Sequence, residues 1–500
     1  MEKNVLEWLE AKALEHADKT VYEDMTESLS FGDLIDEAKS IGSALASKEL
    51  SGKPVAVMMK RSVHTISAYL GVVYSGRAYA PIDITQPESR IARQLATLDP
   101  DAVISDDDAQ TDVSPSKLMT FSSLVSCKKD EAELQRIRSR MTDDEPLYII
   151  FTSGSSGRPK GVVTSHHSLM CYIRAYADMM EISEDDRFCA QAPLDYIAAI
   201  RDIYLPLLRG AYTFICPKEY FMQPGVLFDI MNEKQITCVG WSTSALCVLS
   251  KLNALKEEPP AYLKKICFSG SVMPSSVLRG WQESLKEARF VNQYGPTEVT
   301  ASCTYHKLDH VAEEDEKIPV GIPYEGYRVF LLGDDDKEVM TGGLGEICVA
   351  GPAVALGYYN DPVQTEKAFV QNPLNPSYRE IIYRTGDIGR FREDGILEFH
   401  GRRDRQIKHM GHRVELDEIE SAAVALDGVE EAAALYDSDK ETLWLFYIGA
   451  SEEREVIRGL REKIPGFMVP RKVKKAEDLP RLANGKTDMV RLNAMMKEGA

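Results

Sequence analysis

A loop of glycines and hydroxyl side chains, set between two apolar segments, is the feature that most restricts how this chain can fold. The segment reads YIIFTSGSSGRPKGVVTS and spans residues 148–165. Its apolar and β-branched ends predict two buried strands. The loop between them supplies glycines, hydroxyl donors and the cations Arg158 and Lys160, which together suit a polyphosphate group. The spacing is not that of a Walker loop, and a plain Gly/Ser hairpin turn is the simpler alternative.

Composition restricts the class of protein and its partners. Five hundred residues exceed what one hydrophobic core holds, so at least two domains are expected. The net charge of −19 argues against nucleic acid as a partner. No apolar run approaches the roughly 18 residues of a membrane helix, so no membrane contact is expected. Nine scattered cysteines without a CxxC pair suit a reducing cytoplasm and are expected to be packing residues.

Helical and strand patterns alternate along the chain up to about residue 400. This rhythm predicts an α/β fold whose large N-terminal domain contains mixed β-sheets covered by helices. Residues 326–400 are richer in turns and short strands and predict a β-rich subdomain. The charged segment at residues 401–406 marks a boundary. We therefore expect a large N-terminal core, residues 1–403, and a small α+β C-terminal domain, residues 404–500.

Seven collinear motifs resemble those of the adenylate-forming superfamily, which includes acyl-CoA synthetases, peptide-synthetase adenylation domains and luciferases. The first is the loop at residues 148–165. The other six are AYAPIDITQPESRI (78–91), NQYGPTEVT (292–300), GEICVAGPAVALGYYNDP (345–362), YRTGDIGRF (383–391), GRRDRQIKHMGHRVELDEIE (401–420) and NGKTD (484–488). The AYAPID and NGK segments look more like freestanding peptide-synthetase-type adenylation enzymes than like fatty acyl-CoA synthetases.

The resemblance implies a ligase that uses ATP to activate a small carboxylic acid as acyl-AMP, with release of pyrophosphate. The acyl group would then pass to the phosphopantetheine thiol of a separate acyl or peptidyl carrier protein. The chain stops 14 residues after Lys486, so no carrier domain is expected within it. Coenzyme A is the alternative acceptor.

The resemblance also implies which residues bind the nucleotide. Tyr294 would lie against adenine, Thr297 on the α-phosphate, and Glu298 would bind Mg²⁺, which favours one or two carboxylates beside phosphate oxygens. Asp387 would accept hydrogen bonds from both ribose hydroxyls, with Arg402 nearby. The loop that would hold the β- and γ-phosphates consists of Thr152, Ser153, Gly154, Ser155, Ser156, Gly157 and Lys160.

The C-terminal motifs imply a reaction in two steps at one site. Lys486 would bridge the substrate carboxylate and the α-phosphate, and it completes the expected catalytic set with Thr297 and Glu298. Asp404 matches a hinge about which a mobile small domain would turn. The segment around Gly411 would then line the channel for the incoming thiol.

The same alignment predicts the acid pocket. Its lining would be Tyr196, Ile197, Ala198, Arg201, Ser244, Cys267, Ser269, Gln293, Ala301 and Ser302. Amino-acid-activating relatives carry an Asp that pairs with the substrate ammonium, and a gap-free count places Ile197 there. Because an apolar residue leaves a buried ammonium unpaired, we expect an aryl acid or another acid without a standard α-amino group. A register slip of two residues would supply Asp195 instead. Arg201 would point either inward, towards a phenolate, carboxylate or carbonyl, or outward to solvent.

Three further interpretations are open at this point. A D-alanine–carrier-protein ligase shares the QAP…DIY…L framework, although the missing Asp counts against it. A nucleotide-binding regulatory protein without turnover is the non-enzymatic alternative, and the intact Glu298, Asp387 and Lys486 argue against it. His166 and His167, at the start of a predicted helix, are expected to pack beside the acyl pocket and not to act in catalysis.

Overall fold

The computed structural model describes residues 2–48, 50–107, 114, 116–154, 159–256, 259–438, 440–481 and 487–498. The chain forms two compact units. The first consists of Met1–Asp83, Leu98–Phe151 and Gly161–Arg403, and the second of Ile84–Thr97, Thr152–Lys160 and Asp404–Ala500. Relative to the division expected from the sequence, the second unit takes in two additional internal segments.

The helices of the described residues follow one another along both units. In chain order they are α1 (Leu6–Glu15), α2 (Phe31–Ala46), α3 (Val63–Tyr74), α4 (Glu88–Leu98), α5 (Phe121–Val125), α6 (Glu131–Arg138), α7 (His166–Met179), α8 (Ala199–Arg209), α9 (Pro224–Glu233), α10 (Thr243–Lys251), α11 (Ser275–Ser284), α12 (Pro362–Ala368), α13 (Leu416–Val424), α14 (Glu453–Arg461) and α15 (Met489–Glu498). Short 3-10 turns lie at Lys218–Met222, Ala254–Lys256, Thr297–Val299 and Gly466–Met468.

The strands are short and many are buried along their whole length. In chain order they are β1 (Thr20–Glu23), β2 (Ser28–Ser30), β3 (Val55–Met58), β4 (Tyr79–Pro81), β5 (Ala102–Ser105), β6 (Leu118–Thr120), β7 (Pro146–Thr152), β8 (Lys160–Ser165), β9 (Arg187–Ala190), β10 (Tyr212–Ile215), β11 (Cys238–Ser242), β12 (Lys265–Ser269), β13 (Arg289–Tyr294), β14 (Thr304–Leu308), β15 (Ile322–Pro323), β16 (Arg328–Leu332), β17 (Gly345–Ala350), β18 (Gly357–Tyr358), β19 (Phe369–Gln371), β20 (Ile381–Phe391), β21 (Leu397–Arg402), β22 (Gln406–His409), β23 (His412–Glu415), β24 (Val429–Asp437), β25 (Thr442–Gly449) and β26 (Lys472–Lys475).

Two large mixed sheets and a third, five-stranded sheet form the centre of the fold. The nine-stranded sheet has the order β15-β14-β13-β12-β11-β9-β10-β1-β2, and the seven-stranded sheet has the order β18-β8-β7-β4-β3-β5-β6. Strands β11, β12 and β13 run parallel, whereas β14 is antiparallel to β13. The third sheet joins β16, β17, β19, β20 and β21. This arrangement confirms the predicted α/β class and the β-rich region before residue 400.

Local sequence explains individual elements. At α2, the Ser30 hydroxyl accepts from the Asp33 N–H at 3.1 Å, and the Asp33 carboxylate accepts from the Ser30 N–H at 3.1 Å. This reciprocal capping satisfies two donors that a helix start otherwise leaves unpaired. At the other end of a helix, Gly210 terminates α8 with a φ of 75°, a left-handed conformation that glycine adopts without strain.

The second unit has its own core. Strands β24, β25 and β26 form a sheet, and β22 and β23 form a hairpin. Residues of α13 and α14 are buried against them, including Ile419 and Leu460. The segment 84–97 is held in this unit by Arg90, whose guanidinium donates to Glu418 of α13. Both side chains are buried, so breaking this ion pair would leave an uncompensated charge in the interior.

Among the described residues, no helix has the length and apolar character needed to cross a bilayer. All nine cysteines are free thiols, and all except Cys127 and Cys171 are buried.

His166 anchors the N-terminal segment to the core. It is the first residue of α7, and its Nδ1 accepts from the Val5 N–H at 3.4 Å. Burial lowers the pKa of His166 to about 3, and the nearby Arg138 charge acts in the same direction, whereas Asp143 opposes the shift. The ring is therefore a neutral acceptor in the folded protein at neutral pH.

We expect this histidine to destabilise the protein as pH falls. The unfolded chain takes up a proton on His166 below about pH 6.5, whereas the folded chain binds it only near pH 3. The stabilisation of the folded state by the neutral ring is therefore complete above about pH 6.5 and is lost as the pH falls below it. The loss is about 1.4 kcal/mol per pH unit in that window. His166→Gln keeps an acceptor without titrating, so its free energy of unfolding should fall less steeply with acid. Urea unfolding at about pH 4.5 and about pH 7.5 measures this. His16→Gln is the control, and equal slopes for His166→Gln and wild type would contradict the expectation.

Candidate functional site

Asp387 is the centre of a buried hydrogen-bonded group in the first unit. It lies on β20 directly opposite Arg402 of β21. The Arg402 Nη1 donates to Oδ1 of Asp387, and the Tyr294 hydroxyl, at the end of β13, donates to Oδ2. The two charged side chains are only 5% and 13% exposed. The Asp387 N–H donates to the Thr385 hydroxyl at 3.0 Å. The structure thus brings together three residues that were predicted to contact one nucleoside.

Burial raises the pKa of the Tyr294 phenol well above its usual range, and the negative charge of Asp387 raises it further. The phenol is therefore a hydrogen-bond donor at all physiological pH values. A carboxylate accepts up to about four hydrogen bonds, so Asp387 retains capacity for a ligand hydroxyl beside these two donors.

Glu298 is completely buried in the 3-10 turn Thr297–Val299. Its Oε1 accepts from the Tyr358 hydroxyl at 2.7 Å. The chain folds tightly here, because a Cβ on Gly295 would lie 2.5 Å from the Ser302 Cα. Only glycine fits that position, and its presence lets the Gly-Pro-Thr-Glu turn close upon the following loop. Thr297, predicted to contact the α-phosphate, is also buried in this turn.

The described residues contain no group of three or more His, Cys, Asp or Glu side chains that could hold a metal ion. A single buried carboxylate does fit Mg²⁺, which keeps several waters and uses nucleotide phosphate oxygens as further ligands. Glu298 is thus suited to a metal that arrives with a nucleotide.

The phosphate loop is described in part. The Thr152 hydroxyl is buried and makes no hydrogen bond with the residues that the structure describes, and the Ser153 hydroxyl donates to the Arg413 carbonyl at 2.8 Å. Gly154 is buried, and Lys160 is half-buried at the start of β8. The predicted residues that lie outside the described ranges are Ser155, Ser156, Gly157 and Lys486.

Asp404 lies just before β22, and Gly411 lies just after it, both in the second unit. The Asp404 carboxylate accepts from the Gln406 N–H at 3.2 Å at the start of β22. Met410 and Gly411 form the two-residue turn between β22 and β23, with φ values of 52° and 81°. Turns with two positive φ values match the twist of a hairpin. The predicted thiol-channel residue therefore occupies a hairpin tip.

Except for Cys267, in the middle of its strand, the ten predicted pocket residues lie at the carboxyl ends of parallel strands or in the segments that follow them. This is a common ligand position in α/β sheets. They are placed before α8 (Tyr196, Ile197 and Ala198), on α8 (Arg201), on α10 (Ser244), on β12 (Cys267 and Ser269), on β13 (Gln293) and after the Thr297–Val299 turn (Ala301 and Ser302). Ile197 is buried, and Asp195 is half-buried two residues earlier. Ser269 lies opposite Gln293 across the strand pair.

Arg201 points into the protein and is 2% exposed, so the outward alternative is wrong. Its Nη1 donates to the Gln293 Oε1 at 2.7 Å, and its Nη2 donates to the Gly240 carbonyl at 3.3 Å. The Gln293 amide also donates to the Tyr324 hydroxyl, and Ser302 contacts the same amide oxygen at 3.5 Å. The structure therefore joins three predicted pocket residues, Arg201, Gln293 and Ser302, in one buried group.

Four tyrosines around these groups were missed by the sequence interpretation. Tyr358 donates to Glu298, and Tyr324 accepts from the Gln293 amide. Tyr176 lies beside Arg201, and Tyr172 packs edge-on against Tyr324. Tyr358 lies within a recognised motif, so its position could have been noted. Tyr172 and Tyr176 share one helix face by their spacing, but that pattern is equally typical of ordinary core residues.

Two models of known protein families match this chain. Residues 9–359 match the AMP-binding enzyme family, and residues 418–486 match the AMP-binding enzyme C-terminal domain. The delta-poly-L-ornithine synthetase of Acinetobacter baumannii is 31% identical over 489 residues, which are 95% of this chain but only 35% of that protein. The chain likewise spans between 8% and 44% of four other large peptide synthases that it matches.

Two other relatives are matched over most of their length. A D-alanine–D-alanyl carrier protein ligase of Bacillus cereus is 29% identical over 507 residues, with 98% of both chains covered. The solved structure of holo-PA1221, an NRPS protein containing adenylation and PCP domains, has a TM-score of 0.84 at 25% identity and covers 99% of this chain and 84% of that one. These matches confirm the resemblance to adenylate-forming enzymes that the motifs indicated. Because the family match extends over far more than half of its residues, the chain belongs to the AMP-binding enzyme family.

Proposed function

We propose that this protein is an ATP-dependent ligase that activates a small carboxylic acid as acyl-AMP and passes the acyl group to a thiol. In the first step, a carboxylate oxygen attacks the α-phosphorus of ATP, and the bond to pyrophosphate breaks. In the second, a thiolate attacks the acyl carbon, and the bond to AMP breaks. The observation that carries the proposal is the buried Asp387 group, with Tyr294 and Arg402, in a member of this family.

The roles of the nucleotide residues follow from their chemistry. Asp387 would accept from the ribose hydroxyls while Arg402 and Tyr294 hold its carboxylate in place. Thr152 would donate its hydroxyl, which lacks a hydrogen bond to the described residues, to a phosphate oxygen of the leaving pyrophosphate. Ser153, Gly154 and Lys160 would contribute donors and charge beside it. The roles of Ser155, Ser156, Gly157 and Lys486 rest on their motifs.

Mg²⁺ would be held by Glu298, with phosphate oxygens and water as its other ligands. When bound, the ion neutralises charge on the phosphates and so favours attack by an anionic carboxylate. Tyr358 would position Glu298 for this contact through its hydrogen bond of 2.7 Å. Thr297, buried in the same turn, would donate to the α-phosphate.

The favoured substrate is an aryl acid or another small acid without a standard α-amino group. Ile197 is apolar and buried where an ammonium partner would be needed, and an unpaired ammonium there is strongly disfavoured. A second candidate is a D-alanine–carrier-protein ligase, because one such enzyme matches this chain over 98% of both lengths. In that case Asp195 would have to pair with the substrate ammonium in place of Ile197.

The acceptor would be the phosphopantetheine thiol of a carrier protein, in the cytoplasm. The similarity to an NRPS protein that contains adenylation and PCP domains supports this partner over coenzyme A. For the transfer, Asp404 would serve as the hinge, and the Gly411 turn would guide the thiol.

Pyrophosphate release tests the proposal directly. Benzoates, short acyl, hydroxy and dicarboxylic acids, β-amino acids, L-α-amino acids and D-alanine would each be offered with ATP and Mg²⁺. We expect release with at least one non-α-amino acid, followed by thioester formation on a holo carrier protein faster than on coenzyme A. A selective response to D-alanine would support the second candidate. No release with any acid would reject adenylation and leave nucleotide binding without turnover.

Lys486→Ala should slow pyrophosphate release by about 10²–10³-fold, because the assigned contact stabilises charge that develops between carboxylate and α-phosphate. Thioester formation from chemically prepared acyl-AMP should change much less, since that step does not need the lysine. Lys474→Ala, an exposed lysine on β26, is the matched control and should behave like wild type. A wild-type rate of pyrophosphate release from Lys486→Ala would exclude the assigned role.

A further inference from the structure

The guanidinium of Arg201 is a charge buried in the interior of the first unit. Within the part of the chain that the structure describes, it makes no ion pair, and its three hydrogen-bond acceptors are neutral. These acceptors are the Gln293 amide oxygen at 2.7 Å, the Gly240 carbonyl at 3.3 Å and the Ala198 carbonyl at 3.4 Å. A guanidinium stays protonated in proteins and has five N–H donors. Burying such a charge is costly unless an anion joins it.

The neighbouring Asp202 does not supply that anion through a direct contact. Adjacent positions on a helix do not face each other, and both Asp202 carboxylate oxygens are buried without a hydrogen bond to the described residues. Burial raises the pKa of Asp202 to about 7, although Arg201 and Arg61 oppose the shift. Even when Asp202 is ionised, its single negative charge is shared between Arg201 and Arg61.

Two phenols, those of Tyr172 and Tyr176, lie close to the buried Arg201. The hydroxyls of Tyr172 and Tyr176 are buried and make no hydrogen bond with the described residues. The Arg201 carbon Cζ lies 5.7 Å from the Tyr176 ring centre. A Cβ on Gly240 would lie 3.4 Å from the Arg201 Nε and 3.6 Å from the Tyr176 hydroxyl, so both groups border one small region. Burial raises the pKa of Tyr172 to about 12, which keeps that hydroxyl a donor.

We propose that Arg201, with the hydroxyls of Tyr172 and Tyr176, binds a second carboxylate on the substrate acid. A guanidinium pairs with a carboxylate through two parallel hydrogen bonds. The two phenols would donate to the remaining lone pairs of that carboxylate. Gln293 and Ser302 position Arg201 for the contact. The inference rests on the proposed adenylation and narrows its substrate to a small dicarboxylic acid, one carboxylate being activated and the other recognised.

Matched acid pairs test the inference by pyrophosphate release. The pairs are succinate and butyrate, glutarate and valerate, and isophthalate and benzoate. Salicylate is included to test whether a phenol is recognised in place of the second carboxylate. For at least one pair, the dicarboxylate should have a kcat/KM about 10²–10⁴-fold above that of its partner, because a site built for a polar group rejects analogues lacking it. Arg201→Met should abolish this ratio. Binding of ATP alone, by calorimetry, verifies that the variant folds. Arg209→Met, on the same helix in an exposed ion pair with Asp178, is the control and should retain the ratio.

Gln293→Glu provides a second test that does not depend on the panel. A carboxylate at this position would face the Arg201 Nη1 and neutralise it internally. We expect a Tm higher by about 2 °C or more and loss of the dicarboxylate preference. A lower Tm of this variant would overturn the assignment of Arg201. So would a wild-type protein that uses monocarboxylates and salicylate as efficiently as dicarboxylates. Either result would leave adenylation intact. Failure of every acid would instead reject adenylation itself.

Discussion

Replacing Glu298 by glutamine is expected to reduce pyrophosphate release by about 10²–10³-fold at saturating acid, the largest effect of any single conservative change. Glutamine keeps the shape of the side chain and an oxygen that can accept from the Tyr358 hydroxyl, which lies 2.7 Å from the present carboxylate. What it removes is the negative charge. Since this carboxylate would be the protein's ligand to Mg²⁺, the variant should also need a higher Mg²⁺ concentration for half-maximal rate.

Rates measured across a Mg²⁺ titration, with thermal unfolding recorded in parallel, separate the chemistry from the fold. Glu393→Gln, an exposed glutamate in a turn, should match wild type in both measurements. A Glu298→Gln variant with an unchanged rate and an unchanged Mg²⁺ requirement would show that Glu298 is only a structural partner of Tyr358.

Asp387→Ala should combine a loss of stability with a loss of ATP affinity. The carboxylate is 5% exposed and pairs with Arg402, which is 13% exposed, so its removal breaks a largely buried ion pair. Breaking such a pair costs about 3–5 kcal/mol of unfolding free energy. The Tyr294 hydroxyl also loses its hydrogen bond to this carboxylate. We also expect a large rise in the KM for ATP, because the ribose hydroxyls lose their acceptor.

Asp387→Asn separates these two effects. An asparagine keeps one acceptor for Arg402 or Tyr294, so it should recover part of the lost stability without recovering ATP affinity. Asp334→Ala removes an exposed ion pair with Arg403 and should leave stability nearly unchanged. Urea unfolding and ATP titration of the three variants provide the comparison. Full ATP affinity in Asp387→Asn would contradict a role of this carboxylate at the ribose.

Sequence patterns predicted the elements whose hydrophobic period is strong. The two apolar ends of the segment at residues 148–165 lie within β7 and β8. The motifs also selected Tyr294, Asp387 and Arg402, which the fold brings into one hydrogen-bonded group. In these cases the local pattern and the fold agree.

What the sequence could not supply were contacts between distant, ordinary residues. The orientation of Arg201 depends on Gln293, 92 residues away, and on the backbone of β11. The inclusion of residues 84–97 in the second unit depends on Arg90 and Glu418, which are 328 residues apart. Neither pair has a local signature, because an Arg or Glu on a helix is most often a solvated side chain. Only the folded backbone shows that these charges are buried.

The fate of the carboxylate oxygens tests the central claim most directly. An accepted acid, labelled with oxygen-18 in its carboxyl group, would be incubated with the protein, ATP, Mg²⁺ and a holo carrier protein, and the nucleotide product analysed by mass spectrometry. If the carboxylate attacks the α-phosphorus and the thiol then attacks the acyl carbon, each AMP must carry one labelled oxygen. Unlabelled AMP, or ADP with labelled phosphate, would contradict the formation of an acyl-adenylate.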